Sequence, residues 1–235
     1  MQDFSKYKEF SESVLGVAFR DLELLVTAFT HRSYVNEHKK TVHVHNERLE
    51  FLGDAVLELA VTEYLYKTYN EAEGVLTNWR SALVRTESIG AAADKFGFEP
   101  LLRLSRGEKR GTARARAQIL ANCYEAVVGA LYLDQGYELA YQFIDKTILS
   151  TLNDILESGS WMDPKSHLQE LAQSLENSTP SYKVIEEDGP DHDKVFNIGV
   201  YVAGKLRGRG QGPSKQAGQQ KAAEAALSYY RKKTK

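Results

Sequence analysis

The residues of this 235-residue chain best placed for chemistry are four acids spaced for a single helix face. In His45–Val61 the polar positions Glu47, Glu50, Asp54 and Glu58 follow at intervals of 3, 4 and 4, while Leu49, Phe51, Leu52, Ala55, Val56, Leu57, Leu59 and Ala60 fill the remainder. That spacing sets the acids on one stripe of an otherwise apolar α-helix. A second stretch, Ala113–Leu133, repeats the arrangement with Gln118, Asn122, Glu125 and Gly129 at intervals of 4, 3 and 4. A helix apolar on most sides is expected in the interior, and carboxylates enter an interior only with counter-charges. No Lys or Arg follows Arg48 in the first stretch. The economical counter-charge is a hard divalent cation held by oxygens from both helices; the competing reading is a solvated face, the ordinary fate of Glu at helical spacing. Zinc-type His and Cys ligand sets are absent, and His38, His43 and His45 are loosely spaced in a polar connection.

The segment Asn46–Leu57, NERLEFLGDAVL, resembles the signature motif of the ribonuclease III family. Thr30–Asn36, THRSYVN, is similar to the segment that precedes it there, and Ile119–Asp134, ILANCYEAVVGALYLD, resembles the family's second catalytic motif. The resemblance implies an endoribonuclease that hydrolyses phosphodiester bonds of double-stranded RNA with Mg²⁺, for which Mn²⁺ substitutes, in the processing of ribosomal and messenger RNA. It makes Glu50, Asp54 and Glu125 direct metal ligands, with Asp54 and Glu125 catalytic, and Glu47 and Glu73 acidic neighbours. It also makes Phe51 a plug for a cavity on a second identical subunit, against the reading of Phe51 as ordinary core. A two-fold dimer would set two sites across one groove, one for each strand of a duplex.

Asn122 departs from the family, which usually carries Asp there. An amide oxygen still coordinates Mg²⁺ but lacks the charge that helps hold a second cation. Three readings stay open at this point: a working ligand, a weakened catalyst, and a duplex-RNA binding protein with little or no cleavage.

Helical periodicity covers nearly all of the first 155 residues. The expected helices are Phe4–Leu15, Leu22–Thr30, the signature helix running on toward Tyr69, Leu76–Phe96 after a turn at Glu71–Gly74, the second stripe helix, and Tyr137–Leu156. Nothing there alternates as a strand, so residues 1–156 are expected to form an all-α catalytic domain. Residues 157–163 (ESGSWMD), ending before Pro164, read as a linker. In residues 164–235 the pattern changes to a small α+β domain of order α-β-β-β-α: a helix at Ser166–Asn177, strands at Tyr182–Glu187, Val195–Ala203 and Leu206–Gly210, and a helix at Ser214–Lys232. Its segments LQELAQ, GPDHDKVF and GQGPSKQAGQQKAAEAAL resemble the double-stranded RNA-binding domain. The resemblance places RNA contacts at Gln169, Gln173, His192, Ser214 and Lys215. The chemistry suits a duplex, whose shallow minor groove offers 2′-hydroxyls to amides and whose phosphates suit a cation at a helix N-terminus. Where this family generally has a second lysine after the Ser-Lys pair, the chain has Gln216, and a later position in the same helix turn, Gln219, is also uncharged.

The net charge of −2 conceals an asymmetry. From Gly204 to Lys235 there are nine basic residues against the single acid Glu224, which favours polyanions. Arg103–Arg116 is a second basic run, read either as a solvated loop or as a contact to a nucleic-acid backbone. The single Cys123 excludes an internal disulfide and suits a reducing compartment. With no apolar run after a basic start and no 18-residue apolar stretch, neither secretion nor a membrane span is expected, and the expected location is the cytoplasm.

Overall fold

The computed structural model describes residues 4–190 and 194–233. The chain divides into two compact units, Met1–Glu157 and Ser158–Lys235. In the first, the helices are α1 (Ser5–Phe10), α2 (Leu22–Ala28), α3 (Arg32–Glu37), α4 (Glu47–Thr68), α5 (Glu73–Val84), α6 (Thr86–Lys95), α7 (Ala113–Gln135), α8 (Tyr137–Thr147) and α9 (Leu152–Ser158).

Three expected helices differ in detail. Phe4–Leu15 is α1 followed by a π turn, Ser11–Leu15, closed by Gly16 at φ 75°. Leu76–Phe96 is two helices, because the backbone leaves the helical region at Arg85 (φ −68°, ψ 149°); Ser88 Oγ then donates to the Ala82 carbonyl at 2.8 Å. Tyr137–Leu156 is interrupted after Ile148 by a short 3₁₀ turn, Leu149–Thr151.

α7 is the axis of this unit, with α2, α4, α6 and α8 packed around it. Thr112 caps its start, accepting from Ala115 N at 3.2 Å, and Gly136 at φ 89° ends it. Ile119, Leu120, Cys123, Tyr124, Val127, Val128 and Leu131 are buried along it. α4 is not buried on all sides, contrary to the expectation from its composition. Leu49, Val56, Leu57, Ala60, Val61 and Leu65 face the core, whereas Phe51 is 83 % exposed, Leu59 57 % and Tyr66 79 %. No element of the described chain covers that face.

The second unit comprises α10 (Pro164–Glu176), β1 (Ser181–Asp188), β2 (Val195–Val202), β3 (Lys205–Gly212) and α11 (Lys215–Lys233). Asp163 accepts from Lys165 N and Ser166 N, and Pro164 follows it at the first helical position, so α10 starts there. The three strands form an antiparallel sheet in chain order. β2 and β3 pair Val202 with Lys205 across Ala203 and Gly204, both with positive φ (48° and 73°), the geometry of a tight two-residue hairpin. Leu168, Ile198, Val200, Ala222, Ala223, Ala226, Leu227 and Tyr230 make the core. α11 lies close on β3 because Gly208, Gly210 and Gly212 recur at the strand period of two; a methyl group on Gly210 would stand 2.2 Å from Ala222 N.

Candidate active site and nucleic-acid interface

The two polar stripes meet where α4 crosses α7. A methyl group on Gly53 would lie 1.7 Å from the Glu125 carbonyl oxygen, and one on Gly129 would lie 2.3 Å from that of Leu49. Two backbones at that separation bring Glu50 and Asp54, which flank Gly53, against Glu125. Burial, then the charges of Asp54 and Glu50, push the Glu125 carboxyl up to about 7. Burial and the charge of Glu47 raise Glu50 as well, with Asp54 adding and a hydrogen bond from Asn122 opposing. The charges acting on both groups are all negative. Asn122 Oδ1 accepts from Gln118 Nε2 at 2.7 Å, so the α7 stripe is internally linked and turned toward α4.

Among the described residues, no three His, Cys, Asp or Glu side chains are already gathered as a ligand group. Burial and mutual repulsion oppose a closed cluster of three carboxylates without a counter-charge. The donor set of carboxylate and amide oxygens, with no counter-charge of its own, fits a hard divalent ion rather than zinc.

The other acids have partners of their own. Glu47 stands 3.6 Å from Arg32 Nη1 and 3.7 Å from His45 Nδ1. Glu58, a member of the same stripe, pairs with Arg80 of α5 at 3.1 Å. Glu73 heads α5, accepts from Thr77 Oγ1 at 3.3 Å, and is absent from the charges that shift Glu50 and Glu125. It lines a cleft of about 730 Å³ with Thr62, Tyr66, Tyr69, Leu76 and Arg80. Phe51 projects into solvent, which excludes the reading as ordinary core of the chain.

In the second unit, Gln169 and Gln173 are exposed one turn apart on α10, and Ser214 and Lys215 open α11, where Ser214 Oγ accepts from Ala217 N at 3.2 Å. His192 lies outside the described residues. Lys215 Nζ stands 3.3 Å from Glu187, which Lys194 also approaches at 3.4 Å; the hydrogen bond from Lys215 holds the Glu187 carboxyl below its ordinary range. Arg207, counted in the basic tail, is not available to a polyanion. The β2–β3 register slips there, and the guanidinium turns to the helices, donating to both Glu176 oxygens at 2.7 Å and to Tyr229 Oη at 2.9 Å. In the first unit the basic run is likewise partly internal: Arg103 lies over the Tyr34 ring at 4.5 Å, and Arg116 pairs with Glu99 at 3.2 Å.

The Ribonuclease-III-like family model matches residues 21–152, more than half the chain, and the double-stranded RNA binding motif matches residues 164–230. The chain belongs to the ribonuclease III family. It is 45 % identical to Ribonuclease 3 of Anoxybacillus flavithermus over 96 % of this chain and 94 % of that protein. To Ribonuclease 3 of Enterococcus faecalis it is also 45 % identical, over 90 % of this chain and 92 % of that one. The nuclease domain of ribonuclease III from Campylobacter jejuni superposes with a TM-score of 0.53 at 36 % identity, covering 60 % of this chain and 98 % of that domain. The protein is accordingly a double-strand-specific endoribonuclease. The matches give no support to duplex binding without cleavage.

Several structural residues of this ribonuclease III chain escape a reading by spacing. Buried Asn46, at the head of the signature motif, donates from Nδ2 to the Ala28 carbonyl at 3.2 Å and pins the start of α4 to α2. Asp134, at the end of the second motif, accepts from the Arg20 and Asp21 backbone N–H groups at 2.9 and 2.8 Å. Asp134 directly follows the apolar run of α7, which is a signal, whereas Asn46 sits among His45, Glu47 and Arg48 and carries none.

Proposed function

We propose that Glu50, Asp54 and Glu125, with the Asn122 amide, hold Mg²⁺ for cleavage of double-stranded RNA, with Mn²⁺ as a substitute. The observation that carries this reading is the half-buried Glu125 at the Gly53–Gly129 crossing, its carboxyl pushed up to about 7 by burial first and then by the charges of Asp54 and Glu50. When bound, the ion supplies activation of the attacking water and stabilisation of the leaving oxygen. The chain's own task is to carry four oxygens on two closely packed helices, within reach of one ion at the Gly53–Gly129 crossing. Asn122 contributes an oxygen without charge, and its link to Gln118 fixes the side-chain orientation. Labelled duplex RNA incubated with the protein should be cut in Mg²⁺ and left intact in EDTA; cutting in EDTA would remove the metal from the mechanism.

The exposed α4 face supports a homodimer. Phe51 and Tyr66 are fifteen positions apart, about 22 Å along a helix, and their midpoint falls beside Leu59. Antiparallel packing of two α4 helices about a two-fold axis near Leu59 therefore sets Phe51 of one copy at the Tyr66 end of the other. The cleft lined by Thr62, Tyr66, Tyr69 and Leu76 lies at that end, open to receive an aromatic ring. Glu73 lines the same cleft, so this packing carries it from the second copy toward Glu50 and Asp54, which accounts for its separation from them within one chain. The Campylobacter structure was described for a region involved in dimer formation of its nuclease domain, in keeping with this arrangement.

Gln169, Gln173, His192, Ser214 and Lys215 form the proposed duplex-binding face. Processing of ribosomal and other structured transcripts in the cytoplasm is the setting that fits such an enzyme. No helix among the described residues is long and apolar enough to cross a membrane.

A further inference from the structure

α11 offers Lys215 at its first turn, but one turn later, on the same face, it has the uncharged Gln219. A cation nevertheless stands there. Lys165, at the start of α10, extends over the Tyr182 ring, 5.3 Å from its centroid, and donates from Nζ to Gln219 Oε1 at 2.9 Å. Lys165 also begins the α10 stripe that continues through Gln169 and Gln173 at successive intervals of four. The Lys165–Gln219 hydrogen bond thus joins the α10 stripe to the Lys215–Gln219 stripe of α11 in one continuous polar surface. An ammonium has three donors; this one donates to a neutral amide, and no carboxylate among the described residues accepts a hydrogen bond from it.

We propose that Lys165 is a phosphate-contacting residue of the RNA surface, supplying from α10 the charge that α11 lacks at Gln219. This rests on the placement of RNA against Gln169, Gln173 and Lys215. Gln219 acts as a positioning residue, holding the lysine head at the junction between the groove-facing amides and the phosphate-facing helix start. The flat Tyr182 ring restricts the lysine stem, so less freedom is lost when a phosphate oxygen replaces or joins the amide.

The test measures duplex-RNA affinity of the full-length protein without divalent metal, from 50 to 200 mM salt, for Lys165→Gln, Lys215→Ala and the charge-relocating double variant Lys165→Gln/Gln219→Lys. Thermal unfolding of each runs alongside. A lost phosphate contact lowers the salt slope by about 0.9, so the affinity gap between Lys165→Gln and the parent should shrink about 3.5-fold across that range. The double variant should recover both slope and affinity, because the cation returns to the same place from the other helix. If Lys165→Gln weakens binding with an unchanged slope, or leaves binding unchanged while Lys215→Ala weakens it, Lys165 is only a strut between helices and the proposal fails. If Lys215→Ala is also without effect, the whole RNA placement is wrong. A fall in melting temperature without recovery in the double variant would likewise overturn the contact.

Discussion

Glu125 is a carboxyl whose folded pKa of about 7 stands above its ordinary 4.5, with consequences for stability as well as catalysis. Between those values the folded chain holds a proton that the unfolded chain releases, so stability falls as pH rises through this window. Glu125→Gln abolishes the penalty. In EDTA the variant should exceed the parent in stability at pH 8 by about 1–3 kcal/mol, the full shift discounted for solvent screening, and match it at pH 4.5, as thermal unfolding will show. The same variant should fail to cut duplex RNA while still shifting it in a gel; undiminished cutting would take Glu125 out of the site. Asn122→Asp adds a fourth charge where Glu50 already feels the amide, and should lower the Mg²⁺ concentration needed for half-maximal cutting. An identical metal dependence would show that Asn122 is not limiting. Helical spacing puts Glu50 with Asp54 on one face of α4 and Asn122 with Glu125 on one face of α7, because it reports which residues share a face. It does not report what stands opposite: Glu58 shares the stripe yet pairs with Arg80, and Glu73 lies away from it on α5.

Elements set the precision of the site through close approach. With a Cβ at Gly53 only 1.7 Å from a carbonyl oxygen, Gly53→Ala must force α4 from α7. A loss of about 1–3 kcal/mol or more, read in urea, should accompany a weaker metal response; unaltered stability and cutting would contradict the crossing described. In the second unit Arg207→Ala leaves Glu176 and Tyr230 without their cation in a place where the arginine side chain is 11 % exposed. It should cost roughly 2–4 kcal/mol while leaving the salt slope of RNA binding unchanged, which separates it from Lys215. Strands and helices of this unit were legible almost to the residue, because the alternation of Val195–Val202 and the glycines of β3 carry strand periodicity. The slip at Arg207 was not, since an extra residue in a ladder is defined by the partner strand. The break at Arg85 was also hidden, as the apolar recurrence of α5 continues through it into α6.

At the scale of the molecule, the composition shifts near residue 160, and the chain divides into two units between Glu157 and Ser158. The apolar girth of α4 was read as burial within the chain, and the exposed side was illegible from it, because a count of apolar residues does not report which of them the chain itself covers. The exposed Phe51, Leu59 and Tyr66 then tie the fold to mass action. Where association buries an unpaired apolar face, unfolding must also dissociate the partner, and the midpoint rises with protein concentration. The parent should melt progressively higher as it is concentrated, whereas Phe51→Ala, with about 3–5 kcal/mol lost at each plug, should melt lower with little concentration dependence and sediment toward monomer. Equal behaviour of the two would leave the α4 face without a partner. With melting tied to concentration, a dilute enzyme assay samples a less stable molecule than a concentrated stock, so specific activity at elevated temperature should itself climb with the amount of enzyme added.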